Sequence, residues 1–155
     1  MTFWFYMAGA SPGYLTIVVK DLTTSDTFMV WRLGGKNYGD QWNYATFGFY
    51  ISSAYKIWIE GSRGSSRSFI AVDDIIFKES FYCSVIPDSA SVGEVLVIPP
   101  VFTTRPTSPP VSSVFDCNFE VDFCTWKQSS LYKLLWIRQQ GATPSSLTGP
   151  SVDHT

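Results

Sequence analysis

The chain has 155 residues and a formal net charge of −2, and 45% of its residues are hydrophobic while only 15% are charged. This composition excludes a disordered chain, because it supplies enough apolar side chains for a packed core. It also argues against nucleic acid as a partner, because the sequence has no basic patch to follow a phosphate backbone. The best apolar run, Val95–Ile98, stops at Pro99, so no segment is long enough to span a bilayer.

Residues 1–83 alternate apolar and polar side chains with the period of two that is typical of β-strands. The aromatic run Thr2–Tyr6 reads as a strand, and it lacks the basic start of a secretory signal peptide. Turn-forming clusters rich in Gly and Ser separate the runs. The pattern predicts an all-β fold, an antiparallel sandwich or barrel, with further strands at Leu15–Lys20, Phe28–Leu33, Phe47–Ser52, Tyr55–Glu60 and Ser68–Phe77.

Two adjacent carboxylates lie in the middle of the last predicted strand, Ser68–Phe77. Neighbouring strand residues point to opposite faces, so Asp73 and Asp74 cannot share one environment. Strict alternation places Asp74 on the face of the Ile and Val side chains, where its burial needs a partner. Two interpretations stay open: a hydrogen-bonded structural carboxylate, or an oxygen ligand for Ca²⁺. No other cofactor is predicted.

Residues 84–114 differ in composition from the first part. Their centre, residues 98–110, is rich in Pro, Thr and Ser, and its prolines favour an extended conformation. This composition predicts a linker, with an O-glycosylated stalk as the alternative. Residues 115–155 regain the aromatic and cysteine residues of a folded unit.

Several motifs of the first part resemble the closing segment of a MAM domain, an extracellular β-sandwich module. The resemblance rests on an aromatic run ending in Met-x-Gly, a Gly-x-Leu turn, two spaced tryptophans, a Gly-rich turn, the Asp-Asp strand and a closing cysteine. These motifs are Thr2–Gly9, Gly13–Leu15, Trp31 with Gly39–Trp42, Glu60–Gly64, Ile70–Ile75 and Cys83.

The last part resembles the opening segment of a MAM domain. Cys-x-Phe-Glu, Cys-x-Trp, a later Trp and Gly-Pro-x-x-Asp-His-Thr occur in family order, at Asp116–Glu120, Cys124–Gln128, Trp136 and Thr148–Thr155. The resemblance therefore implies a fragment whose fold is an incomplete antiparallel β-sandwich of jelly-roll type. Residues 1–83 form the end of one domain, 84–114 a linker, and 115–155 the start of a second domain.

The resemblance also assigns the cysteines. In the family, a cysteine directly before the first of these strands pairs with the closing one, so Cys83 is expected to be unpaired by truncation. Cys117 and Cys124 are expected to form a disulfide, which requires an oxidising compartment. Two reduced buried thiols are the alternative.

The sequence gives little support for a zinc site or for catalysis. The three cysteines and His154 are the side chains that zinc would prefer as ligands. Their spacings match no compact zinc site. The same histidine is the only one in the chain, and no nucleophile elbow accompanies it. The chain is therefore predicted to be neither an enzyme nor a zinc protein.

The family resemblance implies a non-catalytic module of extracellular adhesion within a larger, multi-MAM protein that is secreted or membrane-anchored. Its expected partners are protein ectodomains, another copy of the protein among them, and any membrane contact would come through missing parts of the parent protein. The alternatives are a carbohydrate-binding jelly-roll domain, which the tryptophans suggest, and an accessory domain of a secreted protease. Buried rather than exposed tryptophans would favour the interaction module.

The second part is also expected to dock on the first. Without opening strands, residues 1–83 would leave apolar faces and strand edges uncovered. The linker is long enough to let Cys117–Gln128 return to them.

Overall fold

The computed structural model describes residues 1–65, 67–78, 84–90, 112–132, 134–143 and 149–155. Within these residues the regular elements are β-strands, and no helix occurs. The strands are β1 (Thr2–Gly9), β2 (Tyr14–Asp21), β3 (Thr27–Gly34), β4 (Asn43–Thr46), β5 (Tyr55–Ser62) and β6 (Ser68–Ile76).

The strands form two antiparallel sheets that pack face to face. The first sheet has the order β4-β1-β6, and the second has the order β3-β2-β5. Each central strand carries buried apolar side chains at every second position, so its inner face is continuously apolar. The prediction of an all-β antiparallel sandwich is confirmed.

The core lies between the two sheets. Phe3 of β1 makes an edge-to-face contact with Trp31 of β3 at 5.1 Å between ring centroids, and both side chains are fully buried. Rings that pack edge to face gain more than their buried area alone provides. Other fully buried side chains of this core are Phe5, Met7, Leu15, Ile17, Leu33 and Phe47.

The prediction of a strand at Phe47–Ser52 was wrong. The strand in this region is β4, which ends at Thr46 because its partner β1 begins at Thr2, the residue paired with Thr46. The next residue, Phe47, still hydrogen-bonds to the backbone of Met1 and remains in the core, but further residues have no strand to pair with. Alternation therefore predicted correctly that the Phe47 side chain is buried. It predicted incorrectly that the backbone after Thr46 is paired with a neighbouring strand.

We call residues 112–155 the returning segment, because described residues at its beginning, middle and end contact the sandwich. The backbones of Ile75 and Cys117 exchange two hydrogen bonds of 2.8 and 2.9 Å, which form an isolated antiparallel bridge on β6. Phe119, Trp126 and Trp136 pack against the core. The expectation that the second part docks on the first is confirmed. The prediction of an unpaired Cys83 and the central part of the predicted linker, residues 91–111, lie outside the described residues.

Candidate interaction site on the outer face of the first sheet

The register between β1 and β6 places an aromatic ring and a carboxylate together on the outer face of the first sheet. Phe5 pairs with Val72 and faces the core, so Trp4 and its partner Asp73 face outward. The last residues of the returning segment lie on the same face. We call Trp4, Trp42, Asp73, Asp74 and His154 the outer cluster.

The prediction that Asp74 is the more buried of the two carboxylates was wrong. Asp73 is 5% exposed, whereas the side chain of Asp74 is 21% exposed. A β-bulge takes Asp74 off the core face: the register shifts between Thr2 and Trp4, and Asp74 has a φ of 48° in the left-handed region. A bulge adds an unpaired residue and reverses the alternation after it, so Ile75 faces the core instead of its neighbour.

The end of the returning segment packs against the tryptophans beside Asp73. The ring of His154 stacks on Trp4 at 4.1 Å and meets the edge of Trp42 at 5.9 Å. The indole Nε1 of Trp42 donates a hydrogen bond of 3.2 Å to the carbonyl of Val152. Two tryptophans that the sequence offered as sugar-stacking platforms are therefore occupied by the protein's own chain.

Burial raises the pKa of Asp73 to about 6. The hydrogen bond that its Oδ1 accepts from the Asp74 amide, at 2.8 Å, acts in the opposite direction, and the charges of Asp74 and Asp153 then add to the rise. The charge of His154 lowers the pKa. Desolvation of the carboxylate is the largest of these effects, as expected for a buried acid.

The second carboxylate of the pair binds the histidine directly. Nδ1 of His154 lies 2.8 Å from Oδ2 of Asp74, and the two side chains are 18% and 21% exposed. When Nδ1 carries the proton, the imidazole donates to the carboxylate and is held in one orientation. This contact joins the end of the returning segment to the bulge of β6.

The outer cluster also contains the residues that could hold a cation. Asp73, Asp74 and His154 each offer one ligand atom, and these atoms lie within 4.8 Å of one another. Calcium takes about six to eight oxygen ligands, so water or further groups would have to complete this shell. The arrangement equally forms a hydrogen-bonded network without an ion, and both interpretations of the carboxylates stay open. Following the melting temperature as Ca²⁺ is added separates them, because only a binding site would raise it.

A second set of contacts anchors the beginning of the returning segment. Cys117 and Cys124 form a disulfide with their Cα atoms 5.8 Å apart, so these sulfurs are not available to zinc. Beside this loop, Phe115 packs against Phe77 at 5.2 Å, and Asp116 accepts a 2.7 Å hydrogen bond from the Phe77 amide. The loop is thus fixed to the end of β6 by a ring and a carboxylate.

The third anchor lies on β5, and sequence reasoning did not find it. Nε1 of Trp136 donates a 3.3 Å hydrogen bond to the carbonyl of Ile59. Its ring covers Gly61 so closely that a Cβ atom there would lie 3.1 Å from it. Trp136 and Gly61 both lie within family motifs, but only the fold brings these distant motifs together.

Comparison with known proteins identifies the family of the first part. Residues 1–84 match the sequence model of the family described as MAM domain, meprin/A5/mu. MAM domain-containing protein 2 of Homo sapiens is 48% identical over 40 residues, which cover 26% of this chain and 6% of that protein. Neuropilin-1 of Xenopus laevis is 37% identical over 79 residues, which cover 49% of this chain and 8% of that protein.

These relatives are much longer than the chain, which spans less than a tenth of either one. No solved structure gives a significant match. Among the described residues there is no helix long and apolar enough to cross a membrane. The family match nevertheless covers more than half of the sequence and agrees with the resemblance of its motifs. The chain belongs to the MAM domain family.

Proposed function

We propose that this chain is part of an extracellular, non-catalytic interaction module that engages the ectodomains of other proteins or of further copies of itself. MAM domains are non-catalytic extracellular modules that mediate protein–protein contacts, and the match over residues 1–84 is the observation that carries the proposal. The disulfide between Cys117 and Cys124 agrees with an oxidising compartment.

The domain organisation forms part of this proposal. Residues 1–83 are the closing part of one MAM-like domain, 84–114 a linker, and 115–155 the opening part of a second. The parent protein then carries several MAM domains and is secreted or held at the cell surface, where its role is adhesion. The order of the motifs in residues 115–155 supports this division.

A binding experiment with the whole chain tests the proposal. The chain is biotinylated, coupled to streptavidin beads of two colours, and also presented to an arrayed library of secreted and cell-surface ectodomains. We expect mixed-colour bead clusters or saturable binding to individual ectodomains, and neither with beads carrying the heat-denatured chain.

Binding to a glycan array without any protein partner would contradict the proposal and favour the carbohydrate-binding alternative. The burial of Trp31 in the core and the cover over Trp4 and Trp42 argue against that outcome. Absence of binding to beads, ectodomains and glycans alike would also overturn the proposal.

A further inference from the structure

We propose that the returning segment of one copy docks on the sandwich of a second copy, so that two chains associate by exchanging residues 112–155. This inference rests on the proposed function and narrows the partner to a second copy of the chain. In the exchanged dimer, His154 of one copy would complete the outer cluster of the other.

The contacts that hold the returning segment come from places far apart on the sandwich. Its beginning forms the backbone bridge with Ile75 of β6, and a side chain of its middle part hydrogen-bonds to the carbonyl of Ile59 on β5. Its end bonds to the side chain of Asp74 at the bulge. β5 and β6 are edge strands of their sheets. The sandwich therefore presents a complete docking surface formed by residues 1–78 alone.

The segment also has contacts of its own, which do not involve the sandwich. The disulfide closes the loop from Cys117 to Cys124. Arg138 donates a 2.9 Å hydrogen bond to the carbonyl of Glu120, and the amide groups of Gln128 bond to the backbone of Trp136. The backbone of Cys117 bonds to the edge strand β6, and the β6 edge of a second copy would offer it the same two hydrogen bonds.

The connection between the sandwich and the returning segment is long enough for the segment to reach either its own sandwich or that of a second copy. The chain between residues 90 and 112 can span roughly 70 Å when fully extended. An exchanged element makes the same contacts as the closed one, which makes exchange a low-cost route to dimers. Docking within one chain is favoured by a high effective concentration, so exchange is expected where copies are crowded, as on a surface.

Two complementary variants of the whole chain test the exchange. The acceptor variant, Gly61→Lys/Asp74→Gly, blocks the place of Trp136 and removes the partner of His154. Glycine suits the left-handed φ of residue 74, and lysine at residue 61 is tolerated in an exposed strand position. The donor variant, Trp126→Ala/Trp136→Ala/His154→Ala, changes no residue of the sandwich and weakens the docking of the returning segment on it.

Neither variant can close well on itself, but the segment of the acceptor variant fits the sandwich of the donor variant. Light scattering after size exclusion should show each variant alone as a monomer, and a 1:1 mixture should give a species of twice that mass containing both chains. A mixture that remains monomeric would overturn the exchange, and so would a variant that dimerises alone, since another surface would then be responsible.

A second measurement does not depend on these variants. Shortening the connection between residues 90 and 112 of the otherwise unchanged chain should raise the dimer fraction, and lengthening it with Gly and Ser should lower it. A dimer fraction independent of this length would contradict exchange. If exchange fails while the unchanged chain still clusters beads or binds ectodomains, the proposed interaction module stands and only its mode is wrong.

Discussion

The sandwich, residues 1–78, and the returning segment, residues 112–155, are held in the structure by different means. In the sandwich, β1 pairs with β6 and β2 with β5 over most of their lengths, and their inner faces share one core. The described part of the segment has no strand and touches the sandwich through one backbone bridge, a few rings and the outer cluster. Burial should therefore dominate the stability of the sandwich, whereas the segment should open locally at a lower free energy.

The largest expected effect is on the core of the sandwich. Trp31→Ala removes a fully buried ring that contacts Phe3 and Phe5. We expect the free energy of unfolding to fall by about 3–5 kcal/mol, as for other large-to-small changes of core aromatics. Urea denaturation followed by circular dichroism measures this loss.

The matched control for this change is Trp136→Ala, which removes a half-buried ring of the segment. It should release the segment and leave most of the free energy of unfolding of the sandwich unchanged. Equal losses in the two variants would show that the two regions unfold as one unit.

The second-largest expected effect comes from loss of the disulfide, which lies within the segment. Replacing both Cys117 and Cys124 by Ser opens a short loop, with an expected cost of about 2–3 kcal/mol to the ordered segment. Hydrogen exchange should then accelerate at the Ile75 amide, which bonds to residue 117. Amides in the ladder between β2 and β5 are the internal control, and their acceleration to the same extent would contradict local opening.

The two regions also differ in how far the sequence predicts them. The strands of the sandwich follow from alternation, because a buried face imposes the period of two on β1, β2 and β6. The bulge at Asp74 interrupts that period, and alternation carried through it placed Asp74 on the core side, where Ile75 lies instead. A bulge depends on how the partner strand is paired, which the local sequence does not contain.

The outer cluster shows the same limit over a longer distance. Family motifs singled out Asp73, Asp74 and His154 separately, yet 80 residues separate the last two in the chain. Their contact depends on the return of the segment, and so does the cover over Trp4. Local periodicity predicts elements, whereas the candidate site consists of contacts between elements.

The pH dependence of stability should report on the boundary between the two regions. The pKa of Asp73 is raised from 3.8 to about 6 in the folded protein. The folded state therefore holds this proton more tightly than the unfolded state, so the contribution is complete below pH 4 and is lost as the pH rises through 6. We expect this change to amount to about 2 kcal/mol, allowing for partial access of solvent to the cluster.

Asp73→Asn is the matched control for this pH dependence, because asparagine is close in shape and does not titrate. The difference in free energy of unfolding between the two proteins, measured by urea denaturation from pH 4 to pH 8, isolates the carboxylate from all other groups. A difference that does not vary with pH would contradict the raised pKa.

The smallest expected effect lies at the far end of the segment. His154→Ala removes both the stack on Trp4 and the 2.8 Å bond to Asp74. Both groups of that bond are about a fifth exposed, so the cost should be about 1 kcal/mol, confined to docking of the segment. His154→Phe keeps a ring on Trp4 without the bond, and should recover part of the loss. Exchange of the Trp42 indole proton, which is bonded to Val152, measures the docking of this end. If that exchange is unchanged in His154→Ala, the outer cluster does not hold the segment, and the anchors at Ile75 and Ile59 suffice.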